Sequence, residues 1–192
     1  LRLDSRRFAY AGKFVVGSTG KAVVREGTER DGEYADHVHA AASFSPDRTD
    51  DDCLVIRYVT VRDDRQGDGL GSRLLAFVAD RAADRGYGTV RIAVNNPAAY
   101  VAAYRAGFGF TGRETGLAEL VCERPAETPA PRDPDAYRDG LDRYRERDLD
   151  SAARERLDAK RAAGPPPVVD GEGRQPSDSR SQTDDCDPEP GC

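Results

Sequence analysis

Residues 53–85 restrict the fold more than any other part of the chain. They open with CLVIRYVTV, apolar at nearly every position, as a strand covered on both faces would be. RDDRQGDG follows, and then an amphipathic run over about residues 70–85 puts Leu70, Leu74, Phe77 and Val78 on one helical face, with Gly86 closing it. A doubly covered strand that turns through glycines into such a helix calls for helices packed on a sheet. The flanks supply the rest of that sheet. Upstream, residues 37–44 pair with residues 53–61 as antiparallel strands across the turn SPDRTDDD. Residues 14–16 and 22–25 are weaker strand candidates around the turn at 17–20. Downstream, TVRIAVNN alternates Val90, Ile92 and Val94 as a strand, PAAYVAAYRA makes a short helix with Pro97 in its first turn, and FGFTG and LAELVCE give two last strands. The expected order is β-β-β-loop-α-β-α-β-β, an α/β (α+β) fold with a mixed, mostly antiparallel sheet.

Composition divides the chain near Arg124 and Pro125. Basic and acidic residues balance over 1–124, so the formal charge of −6, from 29 Lys+Arg against 35 Asp+Glu, belongs to the remainder, which also holds ten of the twelve prolines. The expected organisation is a folded domain at 1–124, a Pro-rich linker at 125–134, one charged, solvated helix at 135–163, and an acidic disordered tail at 164–192. The helix carries thin apolar rows, Tyr137/Leu141/Tyr144 and Leu149/Ala153/Leu157, too narrow for a domain core.

The charge balance also excludes function classes. Neutralising nucleic-acid phosphates or anionic lipid needs a Lys/Arg excess, so neither nucleic acid nor membrane is an expected partner. No apolar run is long enough to span a bilayer and the first residues lack the apolar stretch of a signal peptide, so a soluble cytoplasmic protein is expected. Cys53, Cys122, Cys186 and Cys192 fit no zinc or redox spacing and read as free thiols; no metal site is expected. Asp outnumbers Glu 24 to 11 and Arg outnumbers Lys 26 to 3, which fits either life in concentrated salt or the codon bias of a GC-rich genome. The chain opens on Leu1 and has no Met, so the start either lies upstream or was read from a non-standard codon.

The chemistry-bearing segment is Gln66-Gly67-Asp68-Gly69-Leu70-Gly71-Ser72. Its glycines let the backbone turn with N–H groups inward, and the helix behind it adds unpaired N–H groups and a positive dipole end, a place that binds phosphate or pyrophosphate. It is neither a Walker loop, which needs a following Lys-Ser/Thr, nor the dinucleotide fingerprint, whose glycines are spaced differently. Further on, Asn95-Asn96-Pro97-Ala98 ends a strand and starts a helix that closes with Gly107-Phe108.

Together these segments resemble the GNAT superfamily of acyl-CoA-dependent N-acyltransferases over about residues 36–124: the Q/R-x-x-G-x-G/A loop as Gln66, Gly69 and Gly71, then the strand-end Asn96 and the closing Gly-Phe. The resemblance implies a sheet whose central strands splay. Acetyl-CoA would be the co-substrate, its pyrophosphate on the backbone of residues 66–72 and its pantetheine paired with Val59, Thr60 and Val61 and held by Asn96. An amine would attack the thioester directly, with the backbone N–H near Val59 stabilising the oxyanion. The acceptor would be a small-molecule amine, a protein N-terminus or a lysine.

Two departures from the family pattern stand out. The tyrosine that protonates the leaving thiolate in many members falls here on Ala103; Tyr104, one residue on, and Tyr100, a turn earlier, are the candidates. The family's carboxylate on the strand before Asn96 is replaced by Arg91, which leaves Glu33, Asp36, His37 and His39 as acceptor-side groups, or no side-chain base at all. The second departure is a shortened N-terminal region with no convincing helix. Either the loop at 17–20 and a second subunit, in a homodimer, wall the acceptor site, or upstream sequence is missing. A degenerate acyl-CoA-binding module that senses or scaffolds is the alternative function.

Overall fold

The computed structural model describes residues 1–15, 17–27, 34–147, 149–169 and 171. Its strands are β1 (Gly20–Arg25), β2 (Val38–Pro46), β3 (Cys53–Val61), β4 (Thr89–Val94), β5 (Gly109–Glu114) and β6 (Leu120–Pro125), and its helices α1 (Leu70–Ala83), α2 (Pro97–Arg105), α3 (Pro134–Arg145) and α4 (Ser151–Ala163). They form the expected α+β fold, one six-stranded sheet in the order β1-β2-β3-β4-β6-β5. Every neighbouring pair is antiparallel except β3 with β4, the two strands joined through α1.

Period-2 alternation gives the sheet two different faces. Ala40, Ala42, Leu54, Ile56, Val90, Ile92 and Val94 pack on one side with Leu70, Leu74, Leu75 and Val78 of α1. Each buried Leu or Val contributes about 1.5–3 kcal/mol by leaving water. The other side, at Ala41 and Tyr58, is covered by the N-terminal segment through Leu3, Phe8, Ala11 and Phe14. That segment makes a 3₁₀ turn over Ala11–Phe14 rather than the strand expected at 14–16, because Tyr10 enters it with φ 59 and Phe14 turns fully inward. Val16 lies outside the described residues.

Beyond residue 124 the expectations need correction. The Pro-rich segment packs instead of projecting: Ala126 and Ala130 are buried, and their N–H groups donate to Gly88 O and Gly107 O. Buried Arg124 ties the turn down, donating to Ala106 O at 2.6 Å and Ala126 O at 3.3 Å. The expected single helix is two, α3 and α4, with Asp133 and Asp150 as side-chain N-caps. Its first apolar row is buried too, with Leu157 from the second. Tyr137, Leu141, Tyr144 and Leu157 join the same core as α1 and α2, with the Tyr137 ring 4.7 Å from Tyr104 and 5.7 Å from Tyr100. A thin seam suffices because the side chains are large aromatics and α2 offers two more to meet them. Of the tail, Val169 N–H donates to Arg105 O at 2.7 Å, and Arg132 bonds the Pro166 carbonyl; residues 172–192 lie outside the described residues.

Candidate active site

Along the sheet, β3 and β4 pair only from Cys53/Thr89 to Ile56/Ile92, although both strands continue. The cause is a bulge. On β2, Ser43 faces Tyr58 and Phe44 faces Ile56, so Arg57 is an extra residue on β3; such an insertion bends the strand and increases its twist. Past it, Tyr58–Val61 stay with β2 while β4 stays with β6, and a gap opens between them. Arg62 N–H donates to His39 O on β2 at 2.8 Å. Because successive residues of a strand turn their backbone groups to opposite sides, Thr60 and Tyr58 also address β2, whereas Val59 and Val61 direct N–H and C=O into the gap. Thr60 is buried, and its Oγ1 has no hydrogen-bond partner.

At the far end of β3 the chain makes a 3₁₀ turn, Asp63–Arg65, and enters the glycine loop. Gly67 and Gly69 take φ 96 and 77, conformations that favour glycine. Gly69 is the N-cap of α1; no side chain caps that helix and its first turn holds no acidic residue. The N–H groups of its first turn therefore have no intrahelical partner. Gln66, Gly67 and Asp68 are exposed, with Gln66 Nε2 donating to Asp63 at 3.0 Å and Arg65 paired with Asp68 at 2.7 Å. Leu70 and Ser72 are buried, so the half-exposed Gly71 between them leaves the helix start open. A Cβ at Gly71 would meet only Val61 Cγ2, at 3.4 Å.

Asn96 is spoken for by its own helix. Its Oδ1 accepts from Ala99 N–H at 2.9 Å as the N-cap of α2, and its Nδ2 donates to Asn95 Oδ1 at 3.0 Å. Asn95 in turn donates from Nδ2 to Tyr10 Oη at 3.0 Å, and its carbonyl accepts from Arg147 at 2.7 Å. The Tyr10 ring lies 6.0 Å from that of Tyr58 on β3. Sequence reasoning missed Tyr10, which sits in FAYAGKF between Phe8 and Phe14 with no motif to single it out.

The two expected proton donors are not at the gap. Tyr100 is fully buried and its hydroxyl donates to Tyr137 O at 3.1 Å. Tyr104 is 1% exposed, and its hydroxyl accepts from Phe110 N–H at 3.0 Å. Burial pushes both phenols up from their ordinary range, which makes neither a better proton donor. Helix geometry explains the misplacement: α2 turns its large side chains toward α3, and Ala103 holds the expected position.

Among the acceptor-side candidates, Asp36 is exposed and pairs with Arg7 at 3.1 Å, while His37 is half-buried. His39 is buried beneath the N-terminal segment, with Nε2 3.4 Å from Glu26 Oε1. Glu33 lies outside the described residues. Arg91 on β4 donates to Glu123 on β6 at 2.5 Å and to Asp47, just past β2, at 2.9 Å, an ion-pair network in place of a free carboxylate. Cys53 and Cys122 are buried free thiols; burial pushes Cys122 up to about 12, so neither is an available nucleophile. Among the described residues no cluster of three or more His, Cys, Asp or Glu could hold a metal, and no helix is long and apolar enough to cross a membrane. A cavity of about 280 Å³ lies between β1, the end of β2 and α1, lined by Phe44, Leu54, Phe77 and Tyr87, none of which borders the gap.

Several solved structures are similar in fold. Nourseothricin acetyltransferase is 23% identical, with a TM-score of 0.42 over 48% of this chain and 61% of that one. The ribosomal-protein-S18-alanine N-acetyltransferase from Escherichia coli is 18% identical, with a TM-score of 0.46 over 66% of this chain and 84% of that one. The PaiA N-acetyltransferase from Thermoplasma acidophilum, solved in complex with coenzyme A, is 15% identical, with a TM-score of 0.40 over 48% and 57%. The chain thus spans about three fifths of the length of the first of these structures. No curated protein sequence matches it. The model of the acetyltransferase (GNAT) family matches residues 14–110, from the turn beneath the sheet through the glycine loop and α2 into β5, and by that match over half its length the chain belongs to the GNAT family.

Proposed function

We propose that the chain is an N-acetyltransferase that moves the acetyl group of acetyl-CoA to a primary amine by direct attack. The observation that carries the reading is the splay: Val59 and Val61 turn unpaired backbone groups into a gap that leads to the uncapped start of α1. An amide-bearing pantetheine arm can pair with those groups as an added strand, and its pyrophosphate can lie on the backbone of residues 66–72, which offers N–H groups and a positive helix end. Gln66, Gly67, Asp68, Gly69 and Gly71 would form the open part of that cradle, with Leu70 and Ser72 contributing backbone from buried positions. Thr60 would stand behind the cofactor, and Asn96 would shape the wall through its cap. The N–H of Val59 would meet the oxyanion, and positioning would supply much of the rate. The acceptor is a small-molecule amine, a protein N-terminus or a lysine, entering from the side of the N-terminal segment, where a second subunit of a homodimer would complete the wall.

The alternative, an acyl-CoA-binding module without turnover, draws its support from Ala103 and Arg91 standing where the family places a donor and a carboxylate. Calorimetry with acetyl-CoA, followed by thiol release over a panel of polyamines, aminoglycosides and peptide N-termini, separates the two. Binding with turnover supports the enzyme, binding without turnover across the panel supports the module, and absence of binding sinks both.

A further inference from the structure

Acyl transfer leaves the sulfur of CoA in need of a proton, and neither Tyr100 nor Tyr104 reaches the gap. Tyr10 does stand there. Its ring leans on Tyr58, the residue before Val59, and its hydroxyl accepts from Asn95 just past the end of β4, so it bridges the two strands that part. It is 49% exposed, whereas Tyr100, Tyr104, Tyr137 and Tyr144 are all buried. Its backbone sits at φ 59, which residues other than glycine rarely adopt and which persists only where the surroundings impose it. Here the buried Phe8 before it and Ala11 and Phe14 after it anchor the turn on the sheet.

Hydrogen-bond direction decides what this hydroxyl can do. Asn95 Nδ2 is a donor only, so the phenolic oxygen accepts and its proton is left to be given away. Two cations face the same corner: Lys13 Nζ, 5.7 Å from the centroid of the Tyr58 ring, and Arg147, bonded to the Asn95 carbonyl.

We infer that Tyr10 is the general acid of the reaction, protonating the CoA sulfur as the thioester breaks. The amine lone pair forms the new N–C bond, the C–S electron pair goes to sulfur, and the Tyr10 proton follows it. The proton released by the new amide nitrogen returns through water to the phenolate, so the products are the amide and CoA thiol. This assignment rests on the acyltransferase reading.

The test needs no acceptor. CoA thiol bound to the full chain is titrated by thiolate absorbance in the wild type, Tyr10→Phe and Tyr104→Phe. A phenol that donates to sulfur stabilises the thiolate, so Tyr10→Phe is expected to raise the apparent thiol pKa by about one unit. CoA affinity at low pH should stay within about twofold, and Tyr104→Phe should titrate like the wild type. With any amine the wild type acetylates, Tyr10→Phe should lower kcat about 100-fold with KM little changed. CoA bound with superimposable titrations overturns the Tyr10 assignment alone. No CoA bound to the wild type overturns the acyltransferase reading beneath it.

Discussion

The two faces of the sheet are completed to different degrees. On the helix face the hydroxyls of Tyr100, Tyr104 and Tyr144 all find backbone partners, at Tyr137 O, Phe110 N and Val94 O, inside an aromatic cluster that spans α2 and α3. On the face beneath the N-terminal segment, the buried hydroxyls of Ser43 and Thr60 have no hydrogen bond, and buried His39 meets Glu26 Oε1 only at 3.4 Å. An unmet buried polar group costs about 1–3 kcal/mol. The two faces thus differ in how far their polar groups are satisfied, and the proposed site lies beside the less satisfied one.

The largest expected effect breaks the scaffold side. Ending the chain after Arg124 strips α3 and α4 from Tyr100 and Tyr104, and cooperative thermal unfolding, followed by circular dichroism, should be lost. A truncated chain that still melts cooperatively would show that the C-terminal helices are an appendage after all. Next comes the side of the proposed site. Gly71→Glu puts a carboxylate at the start of α1, where it favours the helix dipole but would occupy the proposed pyrophosphate cradle. Acetyl-CoA affinity should fall at least about 100-fold, or about 2.7 kcal/mol, with the melting midpoint nearly unchanged. Unaltered affinity would refute the cradle.

Intermediate effects sharpen the contrast. Arg124→Met leaves the carbonyls of Ala106 and Ala126 without their buried donor, an expected loss of about 3 kcal/mol in denaturant unfolding with little effect on CoA affinity. Tyr104→Phe removes one hydrogen bond to Phe110 N–H, about 1 kcal/mol, and should leave acetyl transfer intact. A loss of turnover in Tyr104→Phe beyond its loss of stability would return that residue to the site.

Legibility in the sequence followed how local the physics was. The glycine loop was readable because a turn at positive φ selects glycine at Gly67 and Gly69, and the strand before it because double burial leaves a continuous apolar run. The splay could be expected only by resemblance, since its cause is one extra residue, Arg57, which leaves no compositional mark. The row Tyr137/Leu141/Tyr144 is visible in the sequence but reads as a solvated face, because nothing local marks the surface on α2 that it covers. Tyr10 was not legible at all. Its place depends on a left-handed backbone and a partner 85 residues away.

The smallest effect concerns how the scaffold side holds its outer helix. Asp142 of α3 accepts from Arg161 of α4 through Nε at 2.8 Å and Nη2 at 3.1 Å, and this pairing, reinforced by Arg145, holds the carboxyl below its ordinary range. A carboxyl depressed on folding contributes stability above the unfolded carboxylate range, near pH 4, and loses it as the pH falls below that. Asp142→Asn should therefore lower the melting midpoint slightly at pH 7, and the gap from the parent should close as the pH is taken below about 4. Added salt should narrow it as well, since the pair is partly exposed. A difference that persists unchanged at low pH would mean that α4 is held by the packing of Leu157 rather than by charge, which would extend the aromatic scaffold outward by one more helix.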